Sequence, residues 1–284
     1  MDLIWYLVGL ALLGVFAGLV GALVGIGGGM IIVPFLVVFF DMPLALTAGI
    51  GCICALVTSI ATSSAYIQQG YTETRTALFL ETMAVPAAVV GATLLVVLSA
   101  KGGAPALEIV LAGVFVLIMG LMIRQLESDV PVGVVPDRTS RRLRLGGKYY
   151  DTKSHRIVRY RVGATKAGRG ILVGAGFISG MFGIGAGAIY VTALHNFLHL
   201  PMKVSTSTAN LMEGITLGAS ASVMFFSGFI HPILATPVMA GGVLGAQGGV
   251  ALMKHLTPRT VKIAFLPVIA FSAVGLVLKA MGWL

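Results

Sequence analysis

The sequence predicts an all-α polytopic membrane protein of two inverted repeats, each of about five hydrophobic segments, giving eight to ten transmembrane helices with glycine-broken short helices among them. Three observations predict it. The 284 residues are 57% hydrophobic and only 10% charged, whereas soluble domains carry roughly 25% charged residues. Apolar segments recur at about 3–24, 30–42, 45–68, 76–98 and 105–124, and again at about 168–182, 188–200, 204–229, 233–252 and 261–282, and a bilayer crossing takes about 20 such residues. The chain also matches itself when shifted by 158 residues. This composition excludes an ordinary cytosolic enzyme.

The N-terminus, Met1-Asp2-Leu3-Ile4-Trp5-Tyr6, lacks the basic region of a cleavable signal, and its apolar stretch outruns signal-peptide length. It is read as the first span. The second segment of each set is short, falling below the roughly 17 residues of a full span, and each is entered through glycines: Gly25-Ile26-Gly27-Gly28-Gly29 and Gly183-Ile184-Gly185-Ala186-Gly187. The 158-residue shift aligns these motifs and continues without a gap, pairing Pro43 with Pro201, Thr58 with Thr216 and Gly70 with Gly228. Over positions 17–70 it gives 15 identities in 54, the mark of an internal repeat. Residues 1–124 and 168–284 are therefore expected to form two membrane repeats, with 125–167 between them. Cys52 and Cys54 sit two apart in a helical run, about 200° from each other, so neither a disulfide nor a metal pair is expected.

The net charge of +9 could suggest nucleic acid, but its distribution removes that reading. Between Arg124 and Arg169 lie twelve Lys or Arg against four acids, a net +8, so the rest of the chain is nearly neutral. Basic loops stay cytoplasmic. With all ten segments crossing and the N-terminus outside, seventeen basic residues fall inside and two outside, which puts both termini outside in the cell membrane and makes the five-segment halves inverted; re-entrant short segments would instead bring the count toward eight. The middle segment opens with Val130-Pro131-Val132-Gly133 and carries the alternating Arg156-Ile157-Val158-Arg159-Tyr160-Arg161. It is expected to hold a small hairpin or an interfacial stretch, chiefly fixing orientation and meeting anionic lipid headgroups.

Glycines at alternate positions let a chain leave the helix and bring bare N–H groups to a ligand. A helix starting just after such a break adds a positive dipole end. Two glycine-interrupted short segments at corresponding places mark a transporter's binding site, against the alternative of close helix packing through small residues. A small anion is therefore expected at Gly25, Gly27, Gly28, Gly29, Gly183, Gly185 and Gly187. These two motifs, the basic stretch between them and the Thr206-Ser207 pair just past Pro201 resemble the TauE/SafE family of membrane permeases over essentially the whole chain. The resemblance implies transport, in the export direction that the family's name carries, of sulfite, sulfonates and related small sulfur anions. Ala186 departs from the pattern where the first motif has Gly28.

Thr206, Asn210 and Glu213 are spaced to share one helical face, with Ser207 beside them, while their counterparts in the first half are Ala48, Cys52 and Ala55. A carboxylate near mid-depth is costly unless it faces a cavity or a partner. Glu213 is thus expected to couple transport to protons or to gate it, with Thr206, Ser207 and Asn210 donating to the anion. His195 is a second coupling or gating candidate, its alternative being a structural hydrogen-bonder. Glu81, Gln247 and Lys203 are read as structural or interfacial, and Thr58, Ser59, Thr62, Ser63 and Ser64 as hydroxyls bonded back to their own helix. No nucleophile, base and orienting group share a recognisable spacing and no metal motif occurs, so no cofactor or metal is expected. The competing readings are an intramembrane enzyme using Glu213 or His195 as acid or base, and a carrier of some other ion.

Overall fold

The computed structural model describes residues 3–124, 136–151, 156–252, 258–281 and 283. The first half comprises α1 (Leu3–Val24), α2 (Gly29–Phe39), α3 (Leu44–Gln68), α4 (Thr74–Ala100) and α5 (Ala104–Arg124). A small middle segment follows, with α6 (Arg138–Leu143), β1 (Gly146–Asp151) and β2 (Arg156–Arg161). The second half comprises α7 (Thr165–Phe182), α8 (Gly187–Thr192) running on into a π-helical turn (Ala193–Phe197), α9 (Met202–Phe226), α10 (Pro232–Leu252) and α11 (Pro258–Ala280). Among the described residues, five helices are long and apolar enough to cross a membrane: Ile4–Val24, Leu44–Gln68, Thr74–Ala100, Ala106–Arg124 and Pro232–Leu252. The 25-residue α9 has the length, but its Ser, Thr, Asn and Glu lower its hydropathy. The outer surface is apolar, with residues such as Leu12, Phe16, Val90, Leu244 and Phe226 exposed, as a protein solvated by lipid requires.

The internal repeat is written into the backbone. Helices α3 and α9 begin and end at positions 158 apart, as do the starts of α2 and α8. Positive φ angles recur at the same offset: Gly25 and Gly183 (79° and 62°), Gly27 and Gly185 (63° and 75°), Asp41 and His199 (48° and 62°), Gly70 and Gly228 (72° and 77°). Packing is exchanged in the same way. Helix α1 lies on α10 while α7 lies on α4; α3 meets α9, and α5 meets α11. Both seams close through glycine. Carbonyls of Val238 and Gly242 press on Gly14 and Gly18, and those of Ala84 and Ala88 press on Gly176 and Gly180. For these glycines close packing is the whole explanation.

The two short segments are too short to cross, which leaves eight long helices among the described residues, the lower end of the expected eight to ten. Eleven residues of α2 reach about 16 Å, roughly half of a hydrocarbon core. Helix α1 runs most of the way across, the Tyr66 hydroxyl near the end of α3 donating to Ala22 O at 3.1 Å. The chain then folds back, Gly27 lying against Gly21, and α2 returns to the starting face, where Phe40 meets Tyr6 edge-on at 5.1 Å. Helices α7 and α8 repeat this from the other face, where Gly163 N donates to Leu198 O at 3.2 Å. Each half is thus a hairpin followed by three long helices. Three is odd, as five was, so three crossings per half keep the inverted arrangement that the sequence predicts. Cys52 and Cys54 are free thiols that donate to different helices, at Leu217 O and Val238 O.

The middle segment holds an antiparallel hairpin, pairing Gly146 with Arg161 and Asp151 with Arg156. Its opening at 130–133 lies outside the described residues. The hairpin is tied to the membrane helices by the Tyr160 hydroxyl, which donates to Glu73 Oε2 at 3.1 Å, and by Tyr149, which packs edge-on against Tyr71. Asp137 makes a second tie. It caps α6 by accepting from Ser140 N at 2.7 Å, and accepts from Thr165 N and Oγ1 at 2.9 and 2.6 Å at the start of α7. Burial pushes the Asp137 carboxyl up, but the Thr165 and Ser140 hydrogen bonds outweigh it and hold the group below the usual carboxylate range. A depressed carboxyl contributes stability that is present above its unfolded value, near 3.9, and is lost as pH falls through the folded value. Hydrogen exchange in α6 and the first turn of α7 is therefore expected to accelerate, relative to its intrinsic rate, below about pH 4. Asp137→Asn should show that acceleration already at pH 7, and unchanged exchange in the variant would refute the tie.

Candidate anion site at the crossing of the two breaks

The two glycine breaks touch each other, back to back. A Cβ on Gly29 would lie 2.5 Å from Gly183 O and 3.1 Å from the Ile184 carbonyl carbon, and one on Gly187 would collide with Gly25 O and Ile26 Cα. Only glycine permits that approach. Every residue from Gly21 to Pro34 and from Ser179 to His195 is buried, so the crossing is enclosed on all sides. The starts of α2 and α8 both lie at it, and each helix start carries roughly half a positive charge.

Into this crossing projects Glu213 of α9. A Cβ on Gly27 or Gly185 would overlap its Oε1, and one on Gly187 would lie 2.8 Å from Oε2. Glu213 is fully buried, and neither oxygen has a hydrogen-bond partner. An ionised carboxylate left so costs several kcal/mol, which the two helix starts offset only in part.

The glycines divide by task. The N–H groups of Gly25 and Gly183 close the ends of α1 and α7 by donating to Gly21 O and Ser179 O, both at 2.9 Å. Gly28 has an ordinary φ of −78° and donates to Thr58 Oγ1 at 3.4 Å. These three amides, expected from the sequence to hold an anion, are already engaged. Gly27 and Gly185, in left-handed conformations against the carboxylate, make no backbone hydrogen bond with any described residue. Theirs, with those of Gly29 and Gly187 at the starts of α2 and α8, which likewise make no backbone hydrogen bond with any described residue, are the amides left for a ligand.

The other predicted residues separate likewise. Thr206 reaches the crossing through its methyl group, against Gly25. Asn210 lies one turn away, donating to Thr206 O at 3.2 Å and accepting from Thr62 Oγ1 at 3.5 Å. Ser207 does not face the crossing; its hydroxyl donates to Tyr71 O at 2.7 Å and so pins α9 to the α3–α4 turn. His195 Nδ1 bonds Leu200 O at 2.8 Å, holding the π turn to the chain beyond it, so its observed bond is structural. Lys203 sits over the Tyr71 ring, 6.0 Å from its centroid, and Gln247 is exposed on α10.

Several polar residues passed over as structural stand beside the crossing. Glu81 of α4 accepts from Thr216 Oγ1 at 2.8 Å, and that hydroxyl meets the Tyr190 hydroxyl of α8 at 2.9 Å. The second Glu81 oxygen is buried without a partner. Thr216 and Thr58 are repeat partners, and each ties the third helix of its half to the broken second one, so the identity visible in the repeat was a usable signal. Thr58, Thr62 and Ser64 do bond back to their own helix. Ser59 and Ser63 do not: both hydroxyls are buried and unpartnered, and Ser59 packs beside Gly214, one residue from Glu213.

A model of the family described as sulfite exporter TauE/SafE matches residues 10–276. A protein of Bacillus subtilis (strain 168) described as the probable membrane transporter protein YunE is 23% identical over 259 residues, covering 89% of this chain and 90% of that protein. No solved structure matches.

Proposed function

Because the chain belongs to the sulfite exporter TauE/SafE family of membrane transporters, we propose that it carries small sulfur-containing anions, sulfite or an organosulfonate, out of the cell, binding them where the two glycine breaks cross. The observation that carries this reading is the unpartnered Glu213 carboxylate, enclosed at two helix starts beside the available amides of Gly27 and Gly185. The carboxylate stands where the anion would bind. Two negative charges at one desolvated point repel strongly, so the anion enters when Glu213 takes a proton, and the resulting hydroxyl donates to the anion's oxygen. Anion and proton then travel together.

The orphaned hydroxyls of Ser59 and Ser63 are the further donors this reading supplies, and Tyr190, Thr216 and Glu81 hold α8 and α4 on the same helix. Alternating access follows if one inverted half rocks against the other about the crossing. Glycine seams, with little side-chain interdigitation, suit that motion. The basic middle segment lies on the cytoplasmic face and both termini lie outside, as the positive-inside rule requires.

A ligand that binds only the native state raises its stability by mass action. Thermal denaturation of the purified protein is expected to shift upward with sulfite or a short sulfonate, and to shift more at mildly acidic pH than at alkaline pH. Stabilisation by some other class of ion, with none by any sulfur anion, would overturn the substrate assignment.

A further inference from the structure

Between α6 and β2, well away from the crossing, lies an open concavity of about 350 Å³ lined by Pro136, Ser140, Arg141, Arg144, Leu145 and Arg161. Three of its six lining residues are arginines and none is acidic. The neighbouring acid, Asp137, has both oxygens committed to Ser140 N and to Thr165. Ser140 is buried, 1% exposed, and its hydroxyl has no partner. Guanidinium groups gathered around one hollow repel each other unless a counter-charge is held among them, and their planar forks fit the oxygens of phosphate and sulfate in bidentate fashion. A hydroxyl left unsatisfied in the wall supplies a neutral donor for the same ligand.

We infer that this concavity is a second oxyanion site, taking a phosphate-type group through Arg141, Arg144, Arg161 and the Ser140 hydroxyl. Its place in the fold gives binding a consequence. Helix α6 is tied through Asp137 to the start of α7, and β2 is tied through Tyr160 to Glu73, whose N–H in turn donates to Thr208 of α9 at 3.0 Å. An oxyanion drawing α6 and β2 together therefore tightens the connection to α7, which leads into one glycine break, and to α9, which carries Glu213. The phosphate group has two sources, free in solution or as the headgroup of an anionic lipid.

The test uses the full-length protein. Inorganic phosphate, titrated against the protein in neutral detergent at fixed ionic strength, is expected to raise Tm saturably, and Arg144→Gln/Arg161→Gln is expected to lose that rise. Both side chains are exposed, so the variant keeps the wild-type Tm without phosphate; should it not, the single Arg141→Gln serves instead, with a weakened rise expected. Gly185→Ala, which disrupts the crossing, is expected to keep the rise in Tm above its own lower baseline, which separates this site from the crossing and leaves the transport reading standing or falling separately. If free phosphate has no effect but phosphatidylglycerol vesicles stabilise the wild type over the variant, relative to phosphatidylcholine vesicles, the headgroup is the ligand. A phosphate effect equal to that of chloride together with no lipid preference, or responses identical in wild type and variants, would overturn the site.

Discussion

Gly185→Ala is expected to abolish anion flux, by at least a hundredfold, and to lower the stability of the purified protein. Gly185 sits at φ 75°, where an L side chain costs about 1–2 kcal/mol, and its Cβ would overlap Glu213 Oε1 and press to 3.2 Å from Ile26 O. The carboxylate must leave, or the two breaks must part. A displacement of about 1 Å at a binding constellation is enough for a loss of that size. Gly27→Ala, with φ 63° and the same clash, should behave alike. Gly28→Ala is the internal control. Its φ is ordinary, its Cβ would lie 3.6 Å from Ala17, and the second motif already has Ala186 at that place. Near-normal flux and Tm are expected. If all three substitutions behaved alike, the breaks would be packing motifs without individual roles.

Glu213→Gln is expected to fold, because the amide is the same size, and to be as stable as the wild type or more so, since a costly buried carboxylate is removed. Its flux should fall by an order of magnitude or more and lose its dependence on pH. The glutamine can donate to an anion but cannot take up or release the proton that the wild-type cycle moves. A glutamine variant with reduced flux and an unchanged pH profile would leave Glu213 as a positioning group only. Glu81→Gln makes the comparison sharper, since Glu81 is also buried but is held by Thr216.

Much of the fold was legible because the repeat imposes the same backbone twice. Glycines, Pro43 and Pro201 fixed the starts of α3 and α9 and the left-handed positions, since these depend on local conformation. The hairpin return of α2 and α8 was not legible. Their length left spanning and re-entrant readings both open, and only tertiary contacts such as Tyr6 on Phe40 show that they turn back and which face they rejoin. At the site, helical spacing put Thr206, Asn210 and Glu213 on one face, and two of the three reach the crossing. That Glu213 would rest against Gly27, 186 positions away in sequence, could not be read from spacing. Hydroxyls were misjudged for a related reason. A serine in a membrane helix can satisfy itself locally or wait for a partner, and Ser64 does the first while Ser59 and Ser63 do the second.

The most direct test of the central claim is flux of labelled sulfite from proteoliposomes, measured over a range of pH for the wild type and Glu213→Gln side by side. Saturable sulfite movement that rises as protons become available in the wild type, and that is both slow and flat with pH in the variant, is the predicted result. Sulfite movement no faster than in empty vesicles, or a variant that follows the wild-type pH profile at the wild-type rate, would contradict it.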